Sequence, residues 1–219
     1  MKTGFGVFSV IVSSLIIFSG CSKELSVETK QDSIGVTVDT SYQPMEAGST
    51  WIYQDSATLD TSLLTAIDSQ VNINSKIYTL FNLQVAGQTK DEYFAINNHD
   101  YYAYGDFGDG LLTIELLYLN DTASAGYNWQ TPAGTINGYP AQVQGQIIAI
   151  GITMTVAGKT YTNVVHSLVD LQYNYGSGYT TYATYDYYVA KGVGIIRIVT
   201  NFPTIGFSEE LNLISYSIK

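Results

Sequence analysis

From Thr50 onward the chain is written in short runs rich in Tyr, Val, Ile and Thr, with apolar residues at every second position. That period of two is the tightest constraint on its fold, because successive side chains of an extended strand leave opposite faces. Val165, Ser167, Val169, Leu171, Tyr173 and Tyr175 share one face, while His166, Asp170, Gln172 and Asn174 share the other, with Leu168 as an exception. Gly176-Ser177-Gly178 then turns the chain, Tyr179 to Ala190 returns, and Lys191-Gly192-Val193-Gly194 turns it again. Ile195 to Asn201 and Phe207 to Ile218 complete a four-stranded antiparallel meander. After Cys21 no segment sustains i, i+3, i+4, i+7 apolar spacing over three turns, and Gly and β-branched residues recur too often for helix. The expected class is all-β, a curved antiparallel sheet or half-barrel built of meanders.

With 46% hydrophobic and 13% charged residues in 219, the chain has enough apolar surface to offset the entropy of ordering, as one large β domain. Nine basic residues against nineteen acidic ones leave a net charge of −10 and no basic stripe, which argues against nucleic acid as a partner. A single Cys makes neither a disulfide scaffold nor a Cys-based metal site.

Residues 1–20 read as a signal helix: Lys2, an apolar run from Phe5 to Phe18, then Ser19 and Gly20 before Cys21. The run is shorter than the roughly 20 residues a membrane-crossing helix needs. Phe18-Ser19-Gly20-Cys21 resembles the bacterial lipobox, with Phe18 departing from the usual Leu. That resemblance implies cleavage before Cys21 and acylation of Cys21, palmitate included, so that the acyl chains anchor an otherwise acidic protein to the membrane. Residues 21–43 are polar and read as a tether. Ser22 stands where inner-membrane retention would call for Asp, which points to the outer membrane and leaves open whether the protein faces the periplasm or the cell surface.

The body, residues 44–219, nearly repeats. Gly48-Ser49-Thr50-Trp51 is answered by Gly126-Tyr127-Asn128-Trp129, and Ser75-Lys76-Ile77-Tyr78 by Gly158-Lys159-Thr160-Tyr161. Each half then reaches a Tyr-rich strand, Asp91 to Tyr104 in the first and Tyr179 to Tyr188 in the second. Two related units, 44–120 and 121–219, would explain this; chance likeness among Tyr-rich strands is the alternative. Trp51 and Trp129 are expected as core residues at equivalent positions. The order Pro44, Gly48-x-x-Trp51-x-Tyr53, Lys76-x-Tyr78, Leu117 to Trp129, Val156-Ala157-Gly158-Lys159-x-Tyr161-x-Asn163-Val164 and Tyr188 through Gly194 resembles outer-membrane lipoproteins of Bacteroidota. Such proteins are similar in outline to half-barrel lipoproteins that carry or tether lipids in the envelope. The resemblance implies a fold and a location, and no catalytic residue.

Candidate chemistry is sparse. His99 and His166 lie far apart and outside any zinc-binding spacing, and His166 is expected to be solvated on the polar face of its strand. Asn97-Asn98-His99-Asp100 and Asp106-Phe107-Gly108-Asp109-Gly110 place oxygen donors in two loops, but turns demand the same residue types and the spacing matches no EF-hand. There is no G-x-S-x-G elbow, and Glu209 and Glu210, adjacent in a strand, point to opposite faces and cannot flank one bond. No catalytic group, metal or cofactor is therefore assigned, and a non-enzymatic binding or envelope-organising role is expected, with an enzyme of unrecognised class as an alternative. The Tyr runs supply the ligand-binding candidates, Tyr101, Tyr102, Tyr104, Tyr182 and Tyr185, whose rings could line a lipid groove or stack on a glycan. Cross-strand Tyr pairing is the structural alternative. Asp32-Ser33-Ile34, Asp55-Ser56-Ala57 and Asp121-Thr122-Ala123 resemble an O-glycosylation acceptor of exported Bacteroidota proteins, or are plain exposed turns.

Overall fold

The structure, a computed structural model, describes residues 39–106 and 113–219. The signal segment, Cys21 and most of the tether lie outside the described residues, as does most of the Asp106 to Gly110 loop. The described chain forms twelve strands and no helix. The first half supplies β1 (Thr50–Asp55), β2 (Thr61–Ile73), β3 (Lys76–Val85), β4 (Gln88–Asn97), β5 (Asp100–Asp106) and β6 (Thr113–Asn120). The second supplies β7 (Asn128–Ile136), β8 (Tyr139–Val156), β9 (Lys159–Asn174), β10 (Tyr179–Ala190), β11 (Gly194–Phe202) and β12 (Phe207–Ser217).

Consecutive strands pair antiparallel all the way round, and β1 pairs with β12 from Thr50↔Ser217 to Asp55↔Leu211. The expected all-β meander is therefore present, and its curvature runs to completion. The half-barrel becomes a closed barrel, which leaves no free sheet edge between first and last strand. The final four-stranded meander falls where the alternation places it, with Val165, Ser167, Val169, Leu171 and Tyr173 buried on one face of β9. Two details differ. Tyr175 lies beyond β9 and is 54% exposed. The run Asp91 to Tyr104 is two strands, because Asn98 and His99 adopt left-handed φ of 50° and 73° and turn the chain between β4 and β5.

A circular barrel of eight strands is already about as wide as side chains can fill, so twelve must flatten or stay hollow. Here the barrel flattens at β6. That strand is paired with β7 only at Ile114↔Gly134. Its carbonyls are instead met by side chains: Trp129 Nε1 donates to Leu117 O at 3.1 Å, and Ser167 Oγ, from the inner face of β9, donates to Tyr118 O at 2.6 Å. Leu116, Tyr118 and Leu119 are fully buried as a result. Trp129 fits because its partner across the β7–β8 pair is Gly145, where any Cβ would overlap the indole ring.

Trp51 and Trp129 are both buried, at 0% and 8% exposure, and each is the second residue of its strand, β1 and β7. Trp51 Nε1 donates to Val193 O at 2.6 Å, so each indole bonds a backbone carbonyl of the other half of the chain.

Alternation of strand direction puts residues 56–60, 86–87, 137–138, 175–178 and 203–206 at one end, here called distal. The proximal end is closed by residues 39–49. Gly192 N donates to Ser41 O at 2.7 Å, Tyr42 N donates to the Tyr101 hydroxyl at 3.2 Å, and Gln43 and Ser49 are buried. The last residues of the segment read as a tether are thus bound to the barrel end.

Candidate functional site

The distal half of the interior is hollow. A cavity of about 280 Å³ lies between the wall made by β10, β11, β12 and β1 and the wall made by β2 to β5. Leu64, Leu83, Phe94, Ile198 and Leu211 supply its apolar surface. The inward parity of each strand decides this. Glu209 shares its face with Leu211 and Leu213, and Glu92 shares its face with Phe94. Two carboxylates from opposite walls therefore line an otherwise apolar chamber. Glu92 is accommodated because Gly105 stands opposite it, and a Cβ there would collide with the carboxylate.

Glu209 lies near the distal turn that joins β11 to β12, beside Thr200 in register, and makes no hydrogen bond or ion pair with a described residue. Loss of water, followed by the nearby Asp55 carboxylate, raises its pKa above the ordinary glutamate value. Also lining the cavity, Tyr53 donates to Ile195 O at 2.9 Å, and the stacked rings of Tyr185 and Tyr187 lie 5.9 Å apart. Burial pushes the phenol pKa of all three well up, so they are neutral donors at any physiological pH. Tyr118 packs against Tyr187, with ring centres 5.2 Å apart, and against Phe94, closing the proximal side; its buried hydroxyl has no hydrogen-bond partner among the described residues.

The five tyrosines picked out in the sequence do not meet in one place. Tyr185 lines the cavity. Tyr182 packs against Tyr173 and against Phe202, which also lines it. Tyr101 is buried near the proximal end, donating to Asp121 Oδ2 at 2.9 Å. Tyr102 and Tyr104 border an outer cleft of about 540 Å³ between the β2–β3 hairpin and β7. In that cleft Glu115 accepts from Lys76 Nζ at 2.7 Å, Tyr78 at 2.9 Å and Asn74 at 3.1 Å, while the Lys76 ammonium sits 4.5 Å above the Tyr102 ring. These polar groups satisfy one another and fasten the hairpin to the barrel wall. Burial, then the Asp100 charge, pushes the Tyr102 phenol up to about 12.

Glu209, Glu92, Leu64 and Phe94 were not singled out as site residues from the sequence. The available signal was an acidic residue on the apolar parity of its strand, Glu209 in step with Leu211 and Leu213. His166 lies on the outer face as expected but is not solvated: its side chain is 17% exposed, bonded to Asp186 Oδ1 at 2.7 Å and stacked on Tyr188 at 4.3 Å. His99 is bonded to Asp121 at 2.8 Å. Among the described residues no three His, Cys, Asp or Glu side chains are grouped to hold a metal ion. Ser56 sits in an exposed turn and donates to Glu210 O of β12 at 3.2 Å, Thr122 sits in another and donates to Asn120 Oδ1 at 2.9 Å, and the Asp32 triplet lies outside the described residues.

No protein-family model and no curated protein matches this chain. Among solved structures, a candidate lipoprotein from Parabacteroides distasonis is similar at 11% identity and a TM-score of 0.50, covering 81% of this chain and 99% of its own. A candidate exported protein with a YmcC-like fold from Bacteroides fragilis is similar at 10% identity and a TM-score of 0.49, covering 80% of this chain and 97% of its own. At such identity the Parabacteroides structure establishes a shared all-β fold. The chain is thus defined at the level of its class, a closed antiparallel β-barrel with a distal cavity.

Proposed function

We propose that this protein is a lipid-anchored envelope protein, held at the outer membrane through acylated Cys21, that binds a small apolar or amphipathic molecule in the distal cavity. The observation that carries the reading is the cavity itself, a concave, mostly apolar chamber with a few convergent polar groups at its rim. Its size limits the ligand. At roughly 30 Å³ per heavy atom, the share of a water molecule in the liquid, about nine heavy atoms fit. That suits a single short chain or a compact ring system, and a two-chain lipid is too large for it. Access suits an apolar guest as well, since Leu59, Tyr139, Tyr175, Tyr179, Ile205 and Phe207 stand exposed at the same distal end.

The barrel wall argues for water around it. A hydrogen bond between His166 and Asp186 and an ion pair between Arg197 and Glu210 lie on the outer face of β9 to β12, where a wall crossing lipid would carry an apolar band. Glycan binding finds less support, because Tyr102 and Tyr104 are engaged in the Lys76–Glu115 cluster.

The test is native mass spectrometry of protein purified from its own host, beside Ala103→Phe, which fills the cavity from β5. A retained small ligand in the wild type and none in a folded Ala103→Phe variant is the expected result. Equal ligand loads in both would place binding elsewhere.

A further inference from the structure

We infer that the cavity selects a single-chain amphiphile with a cationic head, its ammonium group held at Glu209 and its chain directed inward past Phe94 and Leu64. This rests on the reading of the cavity as a ligand site and adds the polarity of the ligand. Three observations carry it.

The first is the unmatched carboxylate. Glu209 is half-buried against apolar walls and has no donor among the described residues, whereas its neighbour Glu210, on the outer face, is met by Arg197 Nη2 at 2.8 Å and by Asn212 Nδ2 at 2.8 Å. A carboxylate taken out of water without a partner is costly, and a bound ammonium supplies both the charge and the donors it lacks. The second is the sign of the surroundings. Asp55 lies close to Glu209, and no Lys or Arg lines the cavity. A carboxylate or phosphate head would meet repulsion from Glu209 and Asp55. The third is the depth of Glu209. It is the third residue from the distal turn in β12, whereas Phe94 is the seventh from the distal turn in β4, so the head remains near the mouth and the chain reaches inward.

The experiment measures binding of octylamine, octanol and octanoate to the purified protein by calorimetry, below the micellar concentration of each and at pH 7. Wild type is expected to bind octylamine roughly tenfold or more tighter than octanol, the scale of one hydrogen-bonded charge pair, and octanoate most weakly. Glu209→Gln should remove that preference. Glu210→Gln, on the outer face, should bind all three as wild type does. Octanol or octanoate binding as well as octylamine, or an amine preference that survives in Glu209→Gln, would overturn the assignment while leaving the cavity reading intact. If none of the three binds the folded wild type, both fall together. Thermal melts of each variant, read beside the titrations, show that a loss of binding is not a loss of fold.

Discussion

Glu209 and Glu210 are consecutive residues of β12 on opposite sides of one barrel wall. Glu209 faces the distal cavity with its pKa raised by desolvation and then by Asp55, and Glu210 faces solvent with its pKa lowered by the Asn212 hydrogen bond and then by the Arg197 charge. One peptide unit separates a carboxylate that the fold disfavours from one that it favours.

The two should answer pH in opposite senses. Folding favours the protonated form of Glu209, so its contribution to stability is fully present below the ordinary pKa of 4.5 and is lost as pH rises through the raised folded value. Glu210 contributes above its ordinary pKa, and that contribution is lost as pH falls through the depressed value. Stability at pH 7, measured by denaturant unfolding, should therefore rise for Glu209→Gln and fall, by less than about 1 kcal/mol, for Glu210→Gln. Both differences should shrink by pH 4. A Glu209→Gln variant less stable than wild type at pH 7 would contradict the desolvated placement of the carboxylate.

Gly145 and Trp129 form one packing unit. Gly145→Ala places a methyl group inside the indole ring and should cost about 1–3 kcal/mol as overpacking. Trp129→Ala should cost about 3–5 kcal/mol, as should Trp51→Ala. In the Trp129→Ala background the glycine change should become nearly neutral, and urea denaturation of the four proteins in the cycle measures that coupling. Additive losses would mean that the indole does not occupy the slot opposite Gly145. Iodide should quench the fluorescence of either folded single-Trp protein only weakly.

Tyr118 buries a hydroxyl with no partner among the described residues, whereas the Tyr53 hydroxyl donates to Ile195 O. Removing the first should be neutral or stabilising, and removing the second should cost about 0.5–1.5 kcal/mol. The comparison is Tyr118→Phe against Tyr53→Phe by thermal and chemical melts. A destabilised Tyr118→Phe would indicate that a buried water satisfies that hydroxyl.

Anchoring depends on one sulfur. Cys21→Ala should release the protein from membranes into the soluble fraction, with the signal segment processed differently. The readout is fractionation with intact mass. Continued membrane attachment, together with a wild-type mass lacking acyl chains, would remove the lipoprotein reading.

What the sequence by itself determined is local. The two-residue period settled strand as the repeating element, the burial of β9 at Val165, Ser167, Val169, Leu171 and Tyr173, and the opposed directions of Glu209 and Glu210, because side-chain parity follows from backbone geometry alone. Trp51 and Trp129 were legible as core because each follows Gly by three residues in matching anchors, Gly48 to Trp51 and Gly126 to Trp129. Closure, flattening and the cavity were decided only in three dimensions. Whether the sheet stays open depends on β1 meeting β12, residues more than 150 positions apart, and no window of sequence contains that pairing. The β6 seam depends on Trp129 and Ser167 supplying donors that a neighbouring strand does not. The Tyr runs dispersed to the cavity, the proximal end and the outer cleft because parity assigns a face without saying what stands opposite. For Glu209 the opposite wall is what matters: an acid on an apolar face becomes a binding candidate only once β4 and Phe94 are seen across the chamber from it.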